Sequence, residues 1–272
     1  MKTALTPTLL LSILLLFALD SAKANSVPPG NNTSIKLSSS EQQNTMIELY
    51  TSEGCSSCPP AEARLNRYIK DKNLWSSIIP IAFHVDYWDY IGWRDRFASP
   101  EHGKRQSRYA KLNRERTVYT PAFVVNGKNW RPGIIFNKTP DAKTRRVGKL
   151  SLTIQNKSIQ AHFSAVEKME TTEKTETTAK ANQPLILNIA VLGMKLNSDI
   201  KRGENAGRKA EHHFVVLAQH QKSSNTMNWQ VTLPALKNHK ATQYALVAWV
   251  SRAAHPAPIQ AVGGYIPNQF VE

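Results

Sequence analysis

The chain has 272 residues with 35 Lys and Arg against 20 Asp and Glu, a formal net charge of +15, and two cysteines. So basic a balance favours anionic partners, including acidic proteins, phospholipid headgroups, glycans or nucleic acid, without choosing among them. With no zinc finger, no RNA-recognition signature and no aromatic-basic repeat, specific nucleic-acid recognition is not expected.

Residues 1–24 read as a signal peptide. Lys2 is the positive start, Leu9 to Leu19 the apolar stretch, and Ala22-Lys23-Ala24 the small-x-small cleavage site. Cleavage there leaves about 248 of the 272 residues. The apolar stretch is short of the roughly 20 residues that span a bilayer, and no later segment approaches that length, so the mature protein is expected to lack a transmembrane segment. The expected destination is the periplasm or the exterior, both of them oxidising.

Residues 25–44 are rich in Ser, Asn, Pro, Gly and Gln and read as a disordered lead-in. Met46 to Thr51 reads as a strand, and Ala61, Leu65, Tyr68 and Ile69 recur at helical spacing. Ile78 to Val85, nearly continuous in apolar residues, reads as a strand buried on both faces. Ser99-Pro100 is an N-cap with proline at the first helical position, opening a helix to about Arg114. Between Arg94 and Arg116 there are eight Lys or Arg against three Asp or Glu, a solvated face or else an electropositive partner surface. Val118 to Gly127 then reads as a proline-led strand closed by an Asn-Gly hairpin turn, and 137–147 as a short closing helix.

From Lys149 the pattern changes to short segments at Ser151–Ile154, Ser158–Phe163, Leu185–Leu192, His213–Gln219, Trp229–Leu233, Tyr244–Val250 and Ile259–Ile266. Seven short strands predict a second, all-β unit, interrupted by a flexible Thr-, Glu- and Lys-rich insertion at 166–183. The expected organisation is thus an α/β domain over 45–148 followed by a smaller, sandwich-like all-β domain over 149–272.

The two cysteines form a Cys-x-x-Cys pair, Cys55-Ser56-Ser57-Cys58, between a predicted strand and a predicted helix. A disulfide closing so short a loop stabilises by only about 2 kcal/mol in the chain-entropy model. The pair is better suited to exchange, with Cys55 as attacking thiol and Cys58 resolving the mixed disulfide. Pro59 and Pro60 disfavour helical dihedrals just before them, so the pair is expected on the loop entering the helix, where the helix dipole activates Cys55 less. No cofactor is called for. The alternatives are a structural disulfide and a metal site of Cys55, Cys58 and His84; as a core residue, His84 would instead be hydrogen-bonded.

Sites in open α/β sheets form at the carboxyl ends of parallel strands. That edge would collect the cysteine loop, the acidic and aromatic run Asp86-Tyr87-Trp88-Asp89-Tyr90, and Thr120-Pro121. Tyr87, Trp88 and Trp93 either grip an extended partner or cover the sheet edge, with Asp86 or Asp89 available for proton transfer or hydrogen bonding.

Glu48 to Pro60, His84 to Tyr90, Tyr119-Thr120-Pro121 and Arg202-Gly203-Glu204-Asn205-Ala206-Gly207-Arg208 together resemble the secreted, thioredoxin-like family catalogued as domain of unknown function 1223. The resemblance covers almost the whole mature chain. It implies a thioredoxin-like first domain and a cis peptide at Thr120-Pro121, against a base rate of about 5 to 6% for such bonds. In thioredoxin-like proteins this proline lies against the reactive disulfide and the neighbouring backbone pairs with substrate. Gly54, the two prolines after Cys58 and the long aromatic insertion depart from ordinary thioredoxins. Glu48, on the strand before the pair, is a candidate proton acceptor, and the Arg202–Arg208 loop is either an anion-binding concavity or a tight turn.

The leading expectation is an exported thiol-disulfide oxidoreductase acting on protein thiols or disulfides or on a small thiol, through Cys55 and Cys58 supported by Glu48, Asp86, Tyr87, Trp88, Thr120 and Pro121. Periplasmic copper or zinc handling by the same cysteines is the second. A non-catalytic binding module held to an anionic partner by the basic helix is the third.

Overall fold

The computed structural model of the chain describes residues 33–131, 140, 145–166, 184–236 and 241–271, and Thr33–Glu272 forms one compact unit. The leader at 1–24, the first part of the lead-in, most of the 166–183 insertion and most of the 137–147 helix lie outside the described residues.

Fourteen described strands form three sheets. In chain order they are β1 (Ser34–Ser38), β2 (Thr45–Thr51), β3 (Ile78–His84), β4 (Ala122–Val125), β5 (Lys128–Trp130), β6 (Gly148–Gln155), β7 (Ser158–Ala165), β8 (Leu185–Met194), β9 (Leu196–Asp199), β10 (Lys209–His212), β11 (Val215–Ser224), β12 (Asn228–Thr232), β13 (Gln243–Arg252) and β14 (His255–Ile266). Two α-helices accompany them, α1 (Pro59–Asn66) and α2 (Pro100–Leu112). One mixed sheet of eight strands runs β14-β13-β8-β11-β3-β2-β4-β5, a second is the antiparallel β1-β6-β7-β12, and β9 pairs with β10 as a hairpin.

This corrects the expected division into an α/β thioredoxin-like domain and a smaller all-β domain. The strands expected to build a separate second unit are present, but β8, β11, β13 and β14 continue the sheet that β2 and β3 begin. The junction is narrow and parallel, with Val215 of β11 opposite Ala82 of β3. The physical reason lies in β8 and β13, which have almost no polar face. Ile189, Val191, Leu246, Ala248 and Val250 pack toward the four-stranded sheet, while Ala190, Leu192, Ala245, Val247 and Trp249 join the core around β2, β3 and α2. Strands buried on both faces sit inside a molecule.

The lead-in is also corrected in part. Residues 34–38 pair with β6 as an antiparallel edge strand, and Ile35 and Leu37 pack against the second core. Alternation of two apolar residues was enough to order a segment whose composition reads as polar. The Asn-Gly turn holds as a two-residue hairpin between β4 and β5, with Asn126 at φ 45° and Gly127 at φ 85°, as a type I′ turn requires. Ser99 caps α2, accepting from the Glu101 N–H at 3.4 Å.

A buried ion pair ties these layers together. Glu48 of β2 is fully enclosed and accepts from Arg105 of α2 through two contacts, Nε at 2.8 Å and Nη2 at 3.0 Å. The Tyr50 and Tyr109 hydroxyls donate to the same carboxylate at 2.9 and 2.7 Å, and Arg105 also reaches the Pro256 carbonyl of β14 at 3.3 Å. The guanidinium lies over the Trp249 ring of β13 at 4.9 Å. Burial, followed by the charge of Glu48, pushes the Tyr50 phenol well above its ordinary pKa, and burial does the same to Tyr109. Arg105→Ala leaves the Glu48 carboxylate without its cation, and urea denaturation should show a loss of about 3–5 kcal/mol. Glu48→Leu combined with Arg105→Met should recover part of it.

Candidate functional site

Cys55 and Cys58 are joined in a disulfide with Cα atoms 5.4 Å apart, and both residues are fully buried. The pair follows β2 and precedes α1, with Cys58 at the N-cap of the helix and its carbonyl accepting from the Ala61 and Glu62 N–H groups. The prolines do not displace the helix as the sequence suggests: it begins at Pro59, and Cys58 itself has helical dihedrals, φ −76° and ψ −35°, so only Cys55 to Ser57 lie on the loop. Cys55 Sγ lies 3.3 Å from the exposed Ser57 hydroxyl. That hydroxyl borders an apolar groove of about 610 Å³ lined by Pro60, Pro121, Phe123 and Trp130, with the Arg64 guanidinium over the Trp130 ring at 4.9 Å.

The Thr120-Pro121 peptide is cis, and Pro121 lines the same groove as Ser57. β4 is antiparallel to β2, with Ala122 opposite Tyr50, so the proline lies at the end of β2 that delivers the cysteines. Tyr87, Trp88 and Trp93 of the aromatic segment are partly buried and hydrogen-bonded, whereas Tyr90 is exposed. Trp88 donates to Thr120 Oγ1 at 2.7 Å, Tyr87 to Gln106 Oε1 at 3.1 Å, and Trp93 to Glu53 Oε2 at 2.7 Å. Burial raises the Tyr87 pKa to about 12. A Cβ on Gly54 would stand 3.1 Å from that of Trp88, which accounts for glycine before the first cysteine. Asp89 is engaged structurally, accepting from the Asp95 N–H at 3.1 Å, and Asp86 is half-buried in the same segment.

The Arg202–Arg208 loop, which connects β9 to β10, reaches the cysteine loop. Buried Asn205 donates to the carbonyls of Glu53 at 2.8 Å and Cys55 at 2.9 Å, and Glu204 Oε2 accepts from the Ser56 N–H at 3.2 Å. The Ala206, Gly207 and Arg208 N–H groups are spent within the turn, so the loop is a tight turn and a cover. Gly203, at φ 74°, brings its backbone against Trp93.

Beneath the cysteine loop is a cluster that the sequence did not reveal. His84 Nδ1 is 2.6 Å from Asp95 Oδ2, and the other ring nitrogen of His84 is buried with no hydrogen-bond partner. His212, at the end of β10, places Nδ1 2.7 Å from Glu62 Oε2 and Nε2 3.2 Å from Glu53 Oε1. Burial alone would lower the His212 pKa, but the two carboxylates outweigh it and raise it to about 10. Glu53, which burial would raise, is held down at about 2 chiefly by His212, and Glu62 is lowered against its own burial by the same ring. His84 is raised, Asp95 prevailing over burial.

Of the other sequence candidates, Glu48 is engaged by Arg105 and two tyrosines and has no hydrogen bond to the cysteines. His84 is hydrogen-bonded in the core. Among the described residues the group able to hold a metal ion is Glu62, His84 and His212, which includes neither cysteine. The basic helix is partly internal, since Arg105 is buried and Arg108 donates to the Ala253 carbonyl. Glu62 lies off the Ala61, Leu65, Tyr68 and Ile69 face of its helix in sequence spacing, and His212 precedes a predicted strand with no local signal of its role.

The fold and site define a mixed-sheet protein with an enclosed Cys-x-x-Cys disulfide beside a cis proline. The chain belongs to the family described as "Protein of unknown function (DUF1223)", which matches residues 46–251. No curated protein matches it. Its fold is similar to that of protein AGR_C_4864 from Agrobacterium tumefaciens, 21% identical, with a TM-score of 0.54 over 80% of this chain and 92% of that one. It is also similar to HBP35 of Porphyromonas gingivalis, 14% identical, with a TM-score of 0.52 over 84% of this chain and 76% of the other. Among the described residues no helix is long and apolar enough to cross a membrane.

Asn205→Ala removes the donor to two buried carbonyls, which should cost about 1–3 kcal/mol. It should also speed reduction of the disulfide by dithiothreitol, followed by thiol labelling; an unchanged rate would mean that Asn205 does not cover the pair.

Proposed function

We propose that the protein is an exported thiol-disulfide oxidoreductase that exchanges disulfides with a protein or small-thiol partner through Cys55 and Cys58. The observation that carries this reading is that the disulfide loop and the cis Thr120-Pro121 peptide border one apolar groove. Export rests on the leader pattern of residues 1–24, which names the periplasm or the exterior.

Cys55 is assigned as the attacking residue, because its sulfur is in contact with the hydroxyl of exposed Ser57, a residue that lines the groove. In the reducing direction a dithiol donor first converts the pair to two thiols. The Cys55 thiolate attacks a sulfur of the substrate disulfide, that S–S bond breaks, and one substrate thiolate leaves. The Cys58 thiolate then attacks Cys55 Sγ, the mixed S–S bond breaks, and the second substrate thiolate is released as the internal disulfide reforms. Two electrons pass from the pair to the substrate. Since both cysteines are buried when bonded, exchange requires the 54–58 loop to yield at the groove.

Dithiothreitol-dependent insulin reduction should be abolished by Cys55→Ser, and Cys58→Ser should trap a mixed disulfide visible by mass spectrometry. Equal activity of the wild type and both variants would overturn the proposal.

A further inference from the structure

We propose that Glu62, His84 and His212 form a site for a divalent cation of the zinc class, independent of the cysteines. One donor atom from each lies within 4.8 Å of the others. Donors bound tetrahedrally at about 2.1 Å stand about 3.4 Å apart, so closing the set asks for adjustments on the order of 1 Å.

The second observation is how the imidazoles are held. A metal-bound histidine donates its other ring N–H to a carboxylate or carbonyl, which fixes the ligating nitrogen. His84 has that partner in a hydrogen bond, and His212 faces a carboxylate in ion-pair contact. Asp95 takes Nδ1 of His84, leaving Nε2 buried with no hydrogen-bond partner. Glu53 lies 3.2 Å from Nε2 of His212, which turns Nδ1 toward Glu62. Asp95 is itself oriented, accepting from the backbone N–H groups of Glu53 at 2.8 Å and Phe97 at 2.9 Å. Thr51 donates to Glu62 Oε1 at 2.6 Å and fixes that carboxylate from the other side.

His212 Nδ1 and Glu62 Oε2 share a hydrogen bond at 2.7 Å, and a bound cation would take the place of its proton and release it. Two imidazoles and a carboxylate are a zinc donor set that leaves a fourth position for water. The two histidines come from β3 and β10 and the glutamate from α1. The side chain of Glu62, 13% exposed, is the most accessible of the three. A cation here would cross-link the helix that follows the cysteines to the hairpin that covers them.

The test is calorimetric titration of ZnCl₂ into protein whose disulfide is intact by thiol count, so that neither sulfur can act as a thiolate ligand. One equivalent should bind with a Kd below about 10 μM, and Glu62→Gln and His84→Ala should each weaken it at least about tenfold. Asp95→Asn, which weakens the carboxylate support of His84 without removing a ligand, should weaken binding by about 10–100-fold, while His220→Ala, on the exposed part of β11, should leave it unchanged. Should a ligand variant fail to fold, Co²⁺ added to the wild type should give the visible absorption of a tetrahedral nitrogen and oxygen site. Absence of saturable Zn²⁺ binding, or binding undiminished in folded Glu62→Gln and His84→Ala, would overturn the proposal, whatever the outcome of the insulin assay.

Discussion

The enclosed Glu48–Arg105 pair is the constraint on which the rest of the architecture depends. A carboxylate with no exposed surface must be matched by a cation and by further donors, and here α2, β2 and β14 are brought to one point to supply them. Such pairs add little net stability over an apolar replacement, but a half-made one is costly. The fold is therefore held to the one arrangement in which the second half of the chain closes over the first. Trp249 from β13 completes the enclosure by lying against the guanidinium.

Local structure was largely legible in the sequence, and long-range pairing was not. Ser99-Pro100, Asn126-Gly127 and the seven apolar segments after Lys149 each carry their signal within a few residues, and each falls on the element it marks. Adjacency of β11 to β3 rests on one parallel register position some 130 residues apart in sequence, for which periodicity holds no information. The same limit hid the metal-capable cluster. Glu62 has the spacing of a solvent-facing helix residue, and its partner His212 arrives from 150 positions away. Glu48 was legible as a buried acid, but its partner on α2 read as part of a solvated basic face.

At the site, Glu53 is the residue through which two chemistries meet. Its carbonyl receives Asn205, its amide donates to Asp95, and its carboxylate faces His212 and accepts from Trp93. A movement of the cysteine loop thus reaches the histidine cluster from both ends, through Glu53 before Cys55 and through Glu62, whose N–H donates to the Cys58 carbonyl. The buried disulfide and the buried imidazoles are neighbours in one hydrogen-bonded layer.

The cover over that layer comes late in the chain. Asn205 and His212 stand about 150 residues beyond the groups they contact, on a two-stranded hairpin that no other sheet extends. In a chain delivered from its amino end, the cysteine turn emerges well before its lid exists. Until residue 205 is made, the Glu53 and Cys55 carbonyls lack the amide that binds them, so the cysteine turn takes its final enclosure from the last third of the chain.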